Sequence, residues 1–407
     1  MKPETVSALA RQYSTPFYAF FRDDFAANCR ELTEAYEAVY KPFSIAYSFK
    51  TNYMPAACAC VRGLGGYAEV VSDHEYAIAK KLGFLPEKII VNGPGKWYGM
   101  EEMLSDGAIV MLDNAYELER AAEITERIKK TAPIGFRLNF EIGTDKRSRF
   151  GFDADSPETA RAIERAREHA YLRIVGLHFH LGGARSLEAW ENRAEKLTGY
   201  ADQLLREEER RILDLGSGMF GHIHPDFAAQ FHQQIPAFDD YAAVVAGVFQ
   251  RKFGALPEEQ RPALIVEPGA TVIASTMLYA TRVIAAKTIR GRNVAIVDGS
   301  VHQLGELGKK KQLPFHIIPA QTEGPAFCNA DVSGFTCLED DLLCRGAEQP
   351  LRVGDLLVFE NAGAYTNVMK PPFIRGGCKI ISCTDAGEAI LVKRDETADD
   401  LLSTYEV

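Results

Sequence analysis

The chain has 407 residues, 46% of them hydrophobic, so it can bury a large core, and its length predicts two or three domains. With 46 Lys plus Arg against 56 Asp plus Glu, the net charge of -10 argues against general nucleic-acid binding, which needs a basic surface. No apolar stretch reaches the roughly 18 residues that span a membrane, and the N-terminal MKPETVSALARQY lacks an apolar signal core. We therefore expect a cytoplasmic protein with a small-molecule partner and no membrane partner.

Short β-prone apolar runs alternate with helix-like segments between residues 44 and 270. We count eight such runs, at residues 44–50, 66–72, 88–93, 108–113, 133–140, 173–181, 211–218 and 263–270. Eight β-then-α units are typical of a (β/α)8 barrel, which we place at residues 25–275.

After residue 275 the pattern changes to apolar runs without long helices, such as NVAIVDGS and DLLVFENAGAY. This predicts a mainly β domain over residues 276–407. The N-terminal TPFYAFF is itself β-prone, so we expect residues 1–24 to join that domain.

Polar residues stand at or near the ends of all eight predicted barrel strands. In this fold the carboxyl ends of the strands carry the active site. In chain order the polar residues are Lys50, Glu69, Ser72, Asn92, Asp113, Arg137, Asn139, His178, His180, the turn Gly216-Ser217-Gly218, and Glu267. One such residue could be a solvated strand end, but eight strands out of eight favour a site.

Four of these features suit one cofactor. A partly desolvated lysine such as Lys50 has an amine available for Schiff-base formation. A glycine-rich turn after strand seven is a common phosphate site in barrels. Glu267 could keep a ring nitrogen protonated, and the imidazole of His180 could stack on an aromatic ring. Together these groups predict pyridoxal phosphate (PLP), whose protonated ring is an electron sink.

Eight short motifs occur in the following order along the chain: YSFKTN, EVVS, NGPGK, SRFG, GLHFHLG, DLGSG, VEPG and ENAGAY. Over essentially its whole length the chain resembles the fold-type III PLP-dependent decarboxylases, the diaminopimelate and ornithine decarboxylase family. The resemblance implies an alanine-racemase-like barrel with a β domain, in a head-to-tail homodimer with shared active sites.

The resemblance also implies a role for each matching residue. Lys50 would bind the cofactor aldehyde, Glu267 its ring nitrogen, and His180 its face. Cys337, in FTCLEDD, would be the acid that reprotonates the α-carbon in the neighbouring subunit's site. The further cofactor contacts would be Glu69, Arg137, Gly216, Ser217, Gly218 and Tyr365.

Three positions near the substrate depart from the family pattern. Ala270 replaces the arginine of EPGR, Leu338 replaces the acidic residue after the cysteine, and Gly183 replaces a serine. An unpaired distal amine would be costly to desolvate beside Leu338. We therefore predict a modified or carrier-conjugated amino-acid substrate of a specialised biosynthetic pathway, with Leu338, Asp341 and Ala270 on the substrate side. The run Lys309-Lys310-Lys311 could face a phosphate or carboxylate of such a carrier.

Other functions stay open at this point. Diaminopimelate decarboxylation in lysine biosynthesis is the nearest enzymatic alternative. His178 and His180 share a strand face, which could indicate a metal-dependent amidohydrolase if His222 and His224 also served as ligands. A PLP carrier without turnover is a non-enzymatic alternative, although Cys337 and Tyr365 argue against it. The eight cysteines contain no CxxC pair, and we predict no metal.

Overall fold

The structure is a computed structural model that describes residues 3–305, 310–320, 324–370 and 372–406. The strands are β1 (Phe17–Phe21), β2 (Phe43–Ser48), β3 (Tyr67–Ser72), β4 (Ile89–Gly95), β5 (Ile109–Leu112), β6 (Ala132–Asn139), β7 (Phe152–Asp153), β8 (Leu172–His178), β9 (Ile212–Asp214), β10 (Ala263–Val266), β11 (Met277–Ile289), β12 (Arg292–Val297), β13 (Phe315–Ile318), β14 (Ala330–Ser333), β15 (Leu342–Ala347), β16 (Leu356–Phe359), β17 (Lys379–Cys383) and β18 (Ala389–Lys393).

The α-helices in the described residues are α1 (Pro3–Tyr13), α2 (Arg22–Glu37), α3 (Pro55–Gly63), α4 (Asp73–Lys81), α5 (Met100–Asp106), α6 (Ala115–Ile128), α7 (Pro157–Glu168), α8 (Leu187–Leu204), α9 (Pro225–Ala228), α10 (Phe238–Phe253), α11 (Ala270–Ile273) and α12 (Ala398–Leu402). None of them has both the length and the apolar composition needed to cross a bilayer.

The chain divides into two compact units. One unit comprises Ala26–Gly221 and Ile235–Thr271, and the other comprises Met1–Phe25, His222–Gln234 and Val272–Val407. The segment 222–234, which we expected in the barrel, is therefore grouped with the β-rich unit. The domain boundaries at 25–275 and 276–407 stay a proposal.

The first unit is a closed parallel barrel, as the sequence predicted. Strands β2 to β6 and β8 to β10 pair in chain order, and β10 pairs with β2 to close the ring. Apolar side chains from most of these strands fill the interior, namely Ala46, Ile90, Ile109, Met111, Val175, Ile212 and Ile265. Each large aliphatic side chain buried in this way contributes about 1.5–3 kcal/mol to folding.

The second unit is built on a mainly antiparallel sheet with the order β15-β14-β12-β11-β1-β17-β18, and β16 pairs with both β11 and β13. The N-terminal strand β1 lies inside this sheet, antiparallel to β11 and parallel to β17. Its alternate residues Phe17 and Ala19 pack into a core with Leu278, Val358 and Ile381. The fold class predicted from the sequence, a barrel plus a mainly β domain, is confirmed.

Candidate active site

Lys50 lies in a turn that follows β2 and not in the strand itself, which corrects the predicted strand of residues 44–50. The strand ends at Ser48, whose backbone N–H donates to the Pro268 carbonyl at 3.1 Å, and a 3₁₀ turn spans Phe49–Thr51. A Cβ at Gly269 would come within 2.2 Å of Thr51 Oγ1. The glycine of VEPG therefore lets the turn after β10 pack directly against the lysine turn.

The Lys50 amine is held by a buried carboxylate. Its Nζ donates to Glu69 of β3 and, at 2.7 Å, to the hydroxyl of Ser48, which itself donates to Glu69. The Glu69 side chain is 1% exposed, whereas that of Lys50 is 31% exposed. The amine is therefore paired with a buried carboxylate, while part of the lysine side chain stays exposed.

Glu267 lies at the centre of a buried polar cluster. Asn92 Nδ2 donates to Glu267 Oε1, and His178 Nε2 lies 3.3 Å from the same oxygen. One donor atom each from His178, Asp214 and Glu267 lie within 4.8 Å of one another. Burial raises the pKa of Glu267, while the nearby Lys50 and Arg137 charges oppose the rise. The Lys50 charge is thus close enough to act on this acid, and the role of Glu267 at the cofactor stays a prediction.

Asp214, at the end of β9, is a second buried acid beside Glu267. Burial raises its pKa well above the usual range, and the Glu267 carboxylate raises it further. Its Oδ1 accepts the Gly216 backbone N–H at 2.9 Å, while its Oδ2 accepts no hydrogen bond within the described chain. Two carboxylates this close disfavour each other's ionisation, which adds to the effect of burial on Asp214.

His180 packs against the glycine-rich turn. The Ser217 backbone N–H donates to His180 Nδ1 at 2.9 Å, which leaves the proton of the neutral ring on Nε2. Burial lowers the pKa of His180 well below its usual value, and the Lys50 charge lowers it further, so the ring is neutral. Gly216 has φ of +67° and a Cβ there would meet the Phe179 carbonyl at 2.6 Å, which explains the glycine.

Arg193 of α8 binds the backbone at the same glycine-rich turn. This side chain is fully buried, and its guanidinium donates to the carbonyls of Leu215 (2.8 Å), Ser217 (2.9 Å) and Leu181 (3.2 Å). Burial lowers its pKa to about 9, so it keeps its charge at neutral pH. A buried cation that binds three carbonyls holds the ends of β8 and β9 together.

Arg137 is buried, and its contact with a carboxylate is a long one. Its Nε lies 4.0 Å from Asp113 and makes no hydrogen bond within the described residues. The neighbouring Lys96 is also fully buried, and its Nζ lies 2.7 Å from Glu117, whose carboxylate accepts the Asp113 backbone N–H at 2.7 Å. Arg137 therefore presents unused donor capacity at the end of β6.

Two of the predicted strand-end residues have local structural roles. Ser72 accepts a hydrogen bond from Glu75 N at 3.1 Å and so caps α4. Asn139 donates to the carbonyls of Ser148 (3.0 Å) and Phe150 (2.7 Å). It thereby anchors the loop that carries SRFG, which lines a cavity of about 790 Å³.

In the second unit, Cys337 and Leu338 are both exposed, and Leu338 is 40% accessible. Asp341 of the same loop is buried, and its carboxylate accepts hydrogen bonds from Ser300 Oγ, Val301 N and both the N–H and hydroxyl of Thr336, at 2.7–3.1 Å. This geometry favours a structural role for Asp341, which shapes the Cys337 loop, and its predicted contact with substrate stays a prediction.

Tyr365 and Ala270 complete the predicted set. Tyr365 is half-buried and has φ of +57°, a conformation that non-glycine residues adopt only where surrounding structure enforces it. Gly305 packs against this backbone, since a Cβ at Gly305 would meet the Tyr365 carbonyl at 2.1 Å. Ala270 is the half-buried first residue of α11, and offers only a methyl group where the family pattern has a cation.

The metal-hydrolase alternative required His178 and His180 as joint ligands. His180 is not part of the only described cluster with metal-ligand composition, and its Nδ1 is occupied by the Ser217 N–H. The geometry therefore does not support the histidine pair as a metal centre.

Sequence reasoning missed three residues that build this site: Ser48, Arg193 and Asp214. Asp214 is the first residue of the quoted DLGSG motif, and Ser48 precedes Lys50 by two residues, so both could have been found. Arg193 follows the buried Trp190 by three positions and precedes the buried Leu197 by four, which puts it on the inner face of α8.

The arrangement fits PLP on several counts. Three features stand at neighbouring strand ends: a half-buried amine on a buried acid, a buried carboxyl beside a second buried acid of raised pKa, and a neutral imidazole. The unpaired Arg137 Nε offers a donor for a ring oxygen. For the phosphate, the N–H groups of Gly216 and Ser217 already have acceptors, so Gly218 N–H and the Ser217 hydroxyl are the donors that remain in this turn.

The chain matches a family model described as "Pyridoxal-dependent decarboxylase, pyridoxal binding domain" over residues 23–274, which is more than half of its length. It is 25% identical to a diaminopimelate decarboxylase of Aquifex aeolicus, covering 97% of this chain and 92% of that one. It is also 25% identical to an L-glutamyl-[BtrI acyl-carrier protein] decarboxylase of Niallia circulans, covering 98% and 95% of the two chains.

Among solved structures, a diaminopimelate decarboxylase of M. jannaschii superposes with a TM-score of 0.85 at 24% identity, over 98% of this chain and 94% of that one. This likeness concerns the fold. The chain therefore belongs to the pyridoxal-dependent decarboxylases, amino-acid carboxy-lyases that use PLP.

Proposed function

We propose that this enzyme removes the α-carboxylate of an amino acid whose side chain is attached to another group. The single observation that carries the proposal is Leu338, an exposed apolar residue directly after Cys337 where a free distal amine would need an acid. Ala270 likewise offers no charge. A side chain that is already acylated has no distal ammonium group to pair with an acid, so these substitutions do not weaken its binding.

When bound, PLP supplies the electron sink that makes loss of CO2 from the α-carbon possible. Lys50 is the residue that we propose binds the cofactor aldehyde, because its Nζ is the amine held between Ser48 and Glu69. The Glu69 carboxylate accepts a proton from the ammonium form as the amine becomes a nucleophile. Ser48 provides a second path for the same proton, since its hydroxyl contacts both groups.

The other barrel residues hold and polarise the cofactor in this proposal. Glu267 would face the ring nitrogen and favour its protonated form, with Asp214 as a second buried acid beside it. The neutral ring of His180 would stack on the cofactor face, and Arg137 would donate to the ring oxygen. Ser217, Gly218 and Tyr365 would hold the phosphate, with the turn kept in place by Gly216 and Arg193.

Cys337 is the proposed acid that completes the reaction. The thiol gives its proton to the α-carbon after CO2 leaves, so the products are one CO2 and one amine, and a proton from solvent restores the thiol. Its exposure on a loop held by Asp341 suits a residue that reaches a neighbouring molecule. A homodimer with composite sites, in the cytoplasm, is part of the proposal.

Relatives support the conjugated substrate in part. The Niallia circulans protein acts on a glutamyl group attached to an acyl-carrier protein, at the same identity as the diaminopimelate decarboxylases. Free diaminopimelate is the second candidate, favoured by the fact that several matched relatives of similar identity are diaminopimelate decarboxylases. An enzyme for that substrate would have to compensate for Leu338 and Ala270 elsewhere.

The test is CO2 release by the purified, PLP-loaded protein. The substrate panel contains meso-diaminopimelate, ornithine, lysine and glutamate, together with side-chain acylated forms of the diamino acids and the glutamate thioester of pantetheine. We expect turnover of at least one conjugate with a kcat/KM at least tenfold above any free amino acid. Higher efficiency with meso-diaminopimelate, and growth of a lysine auxotroph, would contradict the proposal and establish the second candidate.

The matched variants are Lys50→Ala and Lys81→Ala. Lys81 is an exposed lysine at the end of α4 and is not one of the strand-end residues. Lys50→Ala should abolish CO2 release, and Lys81→Ala should leave it unchanged. No CO2 from any compound would speak for a PLP carrier without turnover.

A further inference from the structure

The proposed catalytic cysteine, Cys337, lines a groove in the β-rich unit. The groove has a volume of about 770 Å³. It is lined by residues from β11, β12, β14 and β15 and by the loop that carries Cys337 and Leu338. The cations in its lining are Lys287, Arg290, Arg292 and Arg345. Three acids, Asp331, Glu339 and Asp341, also line the groove, so the charge available to a ligand depends on which of these groups are already paired.

The strand register explains how these residues share one surface. Lys287 of β11 is opposite Val294 of β12, and Ile289 is opposite Arg292. Val294 in turn is opposite Asp331 of β14. Residues opposite one another project from the same face of a sheet. The floor of the groove is therefore a sheet face with an apolar centre and cations around it.

Most acids in the groove are already engaged. Asp331 accepts hydrogen bonds from Arg292 (2.6 Å) and from the Gly346 backbone N–H (2.9 Å). Asp341 is turned inwards by its contacts with Ser300 and Thr336. Glu339 is the remaining acid in the lining.

Three cations, in contrast, are unpaired. Lys287, Arg290 and Arg345 form no ion pair or side-chain hydrogen bond with any part of the chain that the structure describes. All three are exposed. An anionic ligand that bound them would therefore not have to displace an internal carboxylate.

The lysine run that the sequence singled out fits this role less well. Lys309 lies outside the described residues. Lys311 donates to the Gln230 carbonyl at 2.7 Å and lies 4.5 Å from the centre of the Phe231 ring. Its ammonium group is thus engaged within its own unit.

We infer that the group attached to the substrate amino acid is anionic, bearing carboxylate or phosphate, and that Lys287, Arg290 and Arg345 bind it in the groove beside Cys337. The inference rests on the proposed function, because it places the α-carbon at Cys337 and the attached group along the groove. Ile289, Val294 and Leu338 supply the apolar contacts for the connecting atoms. Exposed ion pairs are individually weak, so the three cations act together and their effect depends on salt.

The test compares the triple variant Lys287→Gln/Arg290→Gln/Arg345→Gln with the matched control Arg11→Gln/Lys81→Gln/Arg173→Gln. The control removes three exposed cations outside the groove. The substrates are one diamino acid in four forms: free, acetylated, succinylated and phosphorylated on the side chain. The succinylated and phosphorylated forms distinguish a carboxylate ligand from a phosphate ligand.

We expect the groove variant to raise KM for the succinylated or the phosphorylated form by about tenfold, the combined effect of three exposed ion pairs. Its kcat, and its KM for the acetylated form, should stay at the wild-type value, and the effect should fall away in about 1 M salt. The inference would be overturned if, for each of the four forms, the groove variant had the same KM as the control and the wild type.

A direct binding measurement separates this inference from the proposed function. If the wild-type protein releases CO2 from none of the compounds, the proposed function fails while the groove can still be tested. Isothermal titration of succinate and of inorganic phosphate into the PLP-loaded protein should then show weaker binding to the groove variant than to the control. Equal binding, or no binding, by both proteins would overturn the inference.

Discussion

His178 Nε2 lies 3.3 Å from Glu267 Oε1, and both side chains are buried inside the barrel. Burial lowers the pKa of His178 well below its usual range, and the Arg137 charge lowers it further, so the contact joins a neutral ring to the carboxyl group. Asn92 donates to the same carboxylate, and Asp214 lies in the same cluster, so these residues surround the acid that we propose faces the cofactor nitrogen. The site therefore depends on neighbours that do not themselves touch the cofactor.

We predict that Asp214→Asn keeps PLP affinity within about threefold of wild type, whereas Asp214→Leu lowers it at least tenfold. The reason is that the raised pKa of Asp214 favours its protonated form, which asparagine resembles, and asparagine still accepts the Gly216 N–H while leucine cannot. Spectroscopic titration of the bound cofactor measures both affinities. Equal losses in the two variants would mean that Asp214 must be ionised.

The same pair predicts a pH dependence of stability. Because the pKa of Asp214 is raised in the folded state, its contribution to stability is fully present below the pKa of the unfolded chain, near 4. This contribution is lost as pH rises through the pKa of the folded state. Asparagine does not titrate, so the free energy of unfolding of wild type should fall relative to Asp214→Asn as pH rises from about 4. Urea unfolding at several pH values measures this. A difference that does not change with pH would contradict the raised pKa.

Replacing Arg193 by methionine should destabilise the protein by about 3–5 kcal/mol, because three buried carbonyl groups lose their donor. Arg173→Met removes an exposed arginine from β8 and should change stability by less than about 0.5 kcal/mol. Urea unfolding compares the two. Similar stabilities would show that Arg193 does not support the turn.

We predict that Gly216→Ala weakens PLP binding at least tenfold. A Cβ there would approach the Phe179 carbonyl and His180 Cβ at 2.6 Å, and φ of +67° is unfavourable for alanine. Gly63→Ala, where nothing lies within 4 Å of the added Cβ, is the control. PLP affinity at wild-type level in Gly216→Ala would exclude the turn from the cofactor site.

Mixing inactive variants tests the composite site. If Cys337 acts in the partner's barrel, equal mixing of Lys50→Ala and Cys337→Ser subunits should regain about a quarter of wild-type activity, because half the dimers are mixed and one of their two sites is complete. Lys50→Ala mixed with Glu267→Ala should regain none, since each barrel then has a defect. Failure of the first mixture to regain activity would argue for sites within one subunit.

The eight barrel strands could be predicted because each is a short apolar run bounded by polar residues, and all eight were found. Strand ends were less accurate. The ladder of β2 stops at Ser48 because the next residues form a turn against Pro268 and Gly269, which are distant in sequence. Likewise β9 ends at Asp214, since Gly216 takes a positive φ.

The supporting residues were harder to predict. Arg193 binds carbonyl groups that come close to it only in the closed barrel. Helical periodicity places this arginine on the inner face of α8 but does not say what it binds there. The buried pair of Lys96 and Glu117 joins residues 21 positions apart on different βα units. Such contacts depend on tertiary packing, which a single sequence does not encode in local spacing.

The most direct test of the central claim is to reduce the PLP-loaded protein with sodium borohydride, digest it and locate the pyridoxyl group by mass spectrometry. The account predicts one modified peptide, carrying the group on Lys50, and no incorporation in Lys50→Ala. A pyridoxyl group on Lys96 or on any other lysine, with Lys50 unmodified, would contradict it.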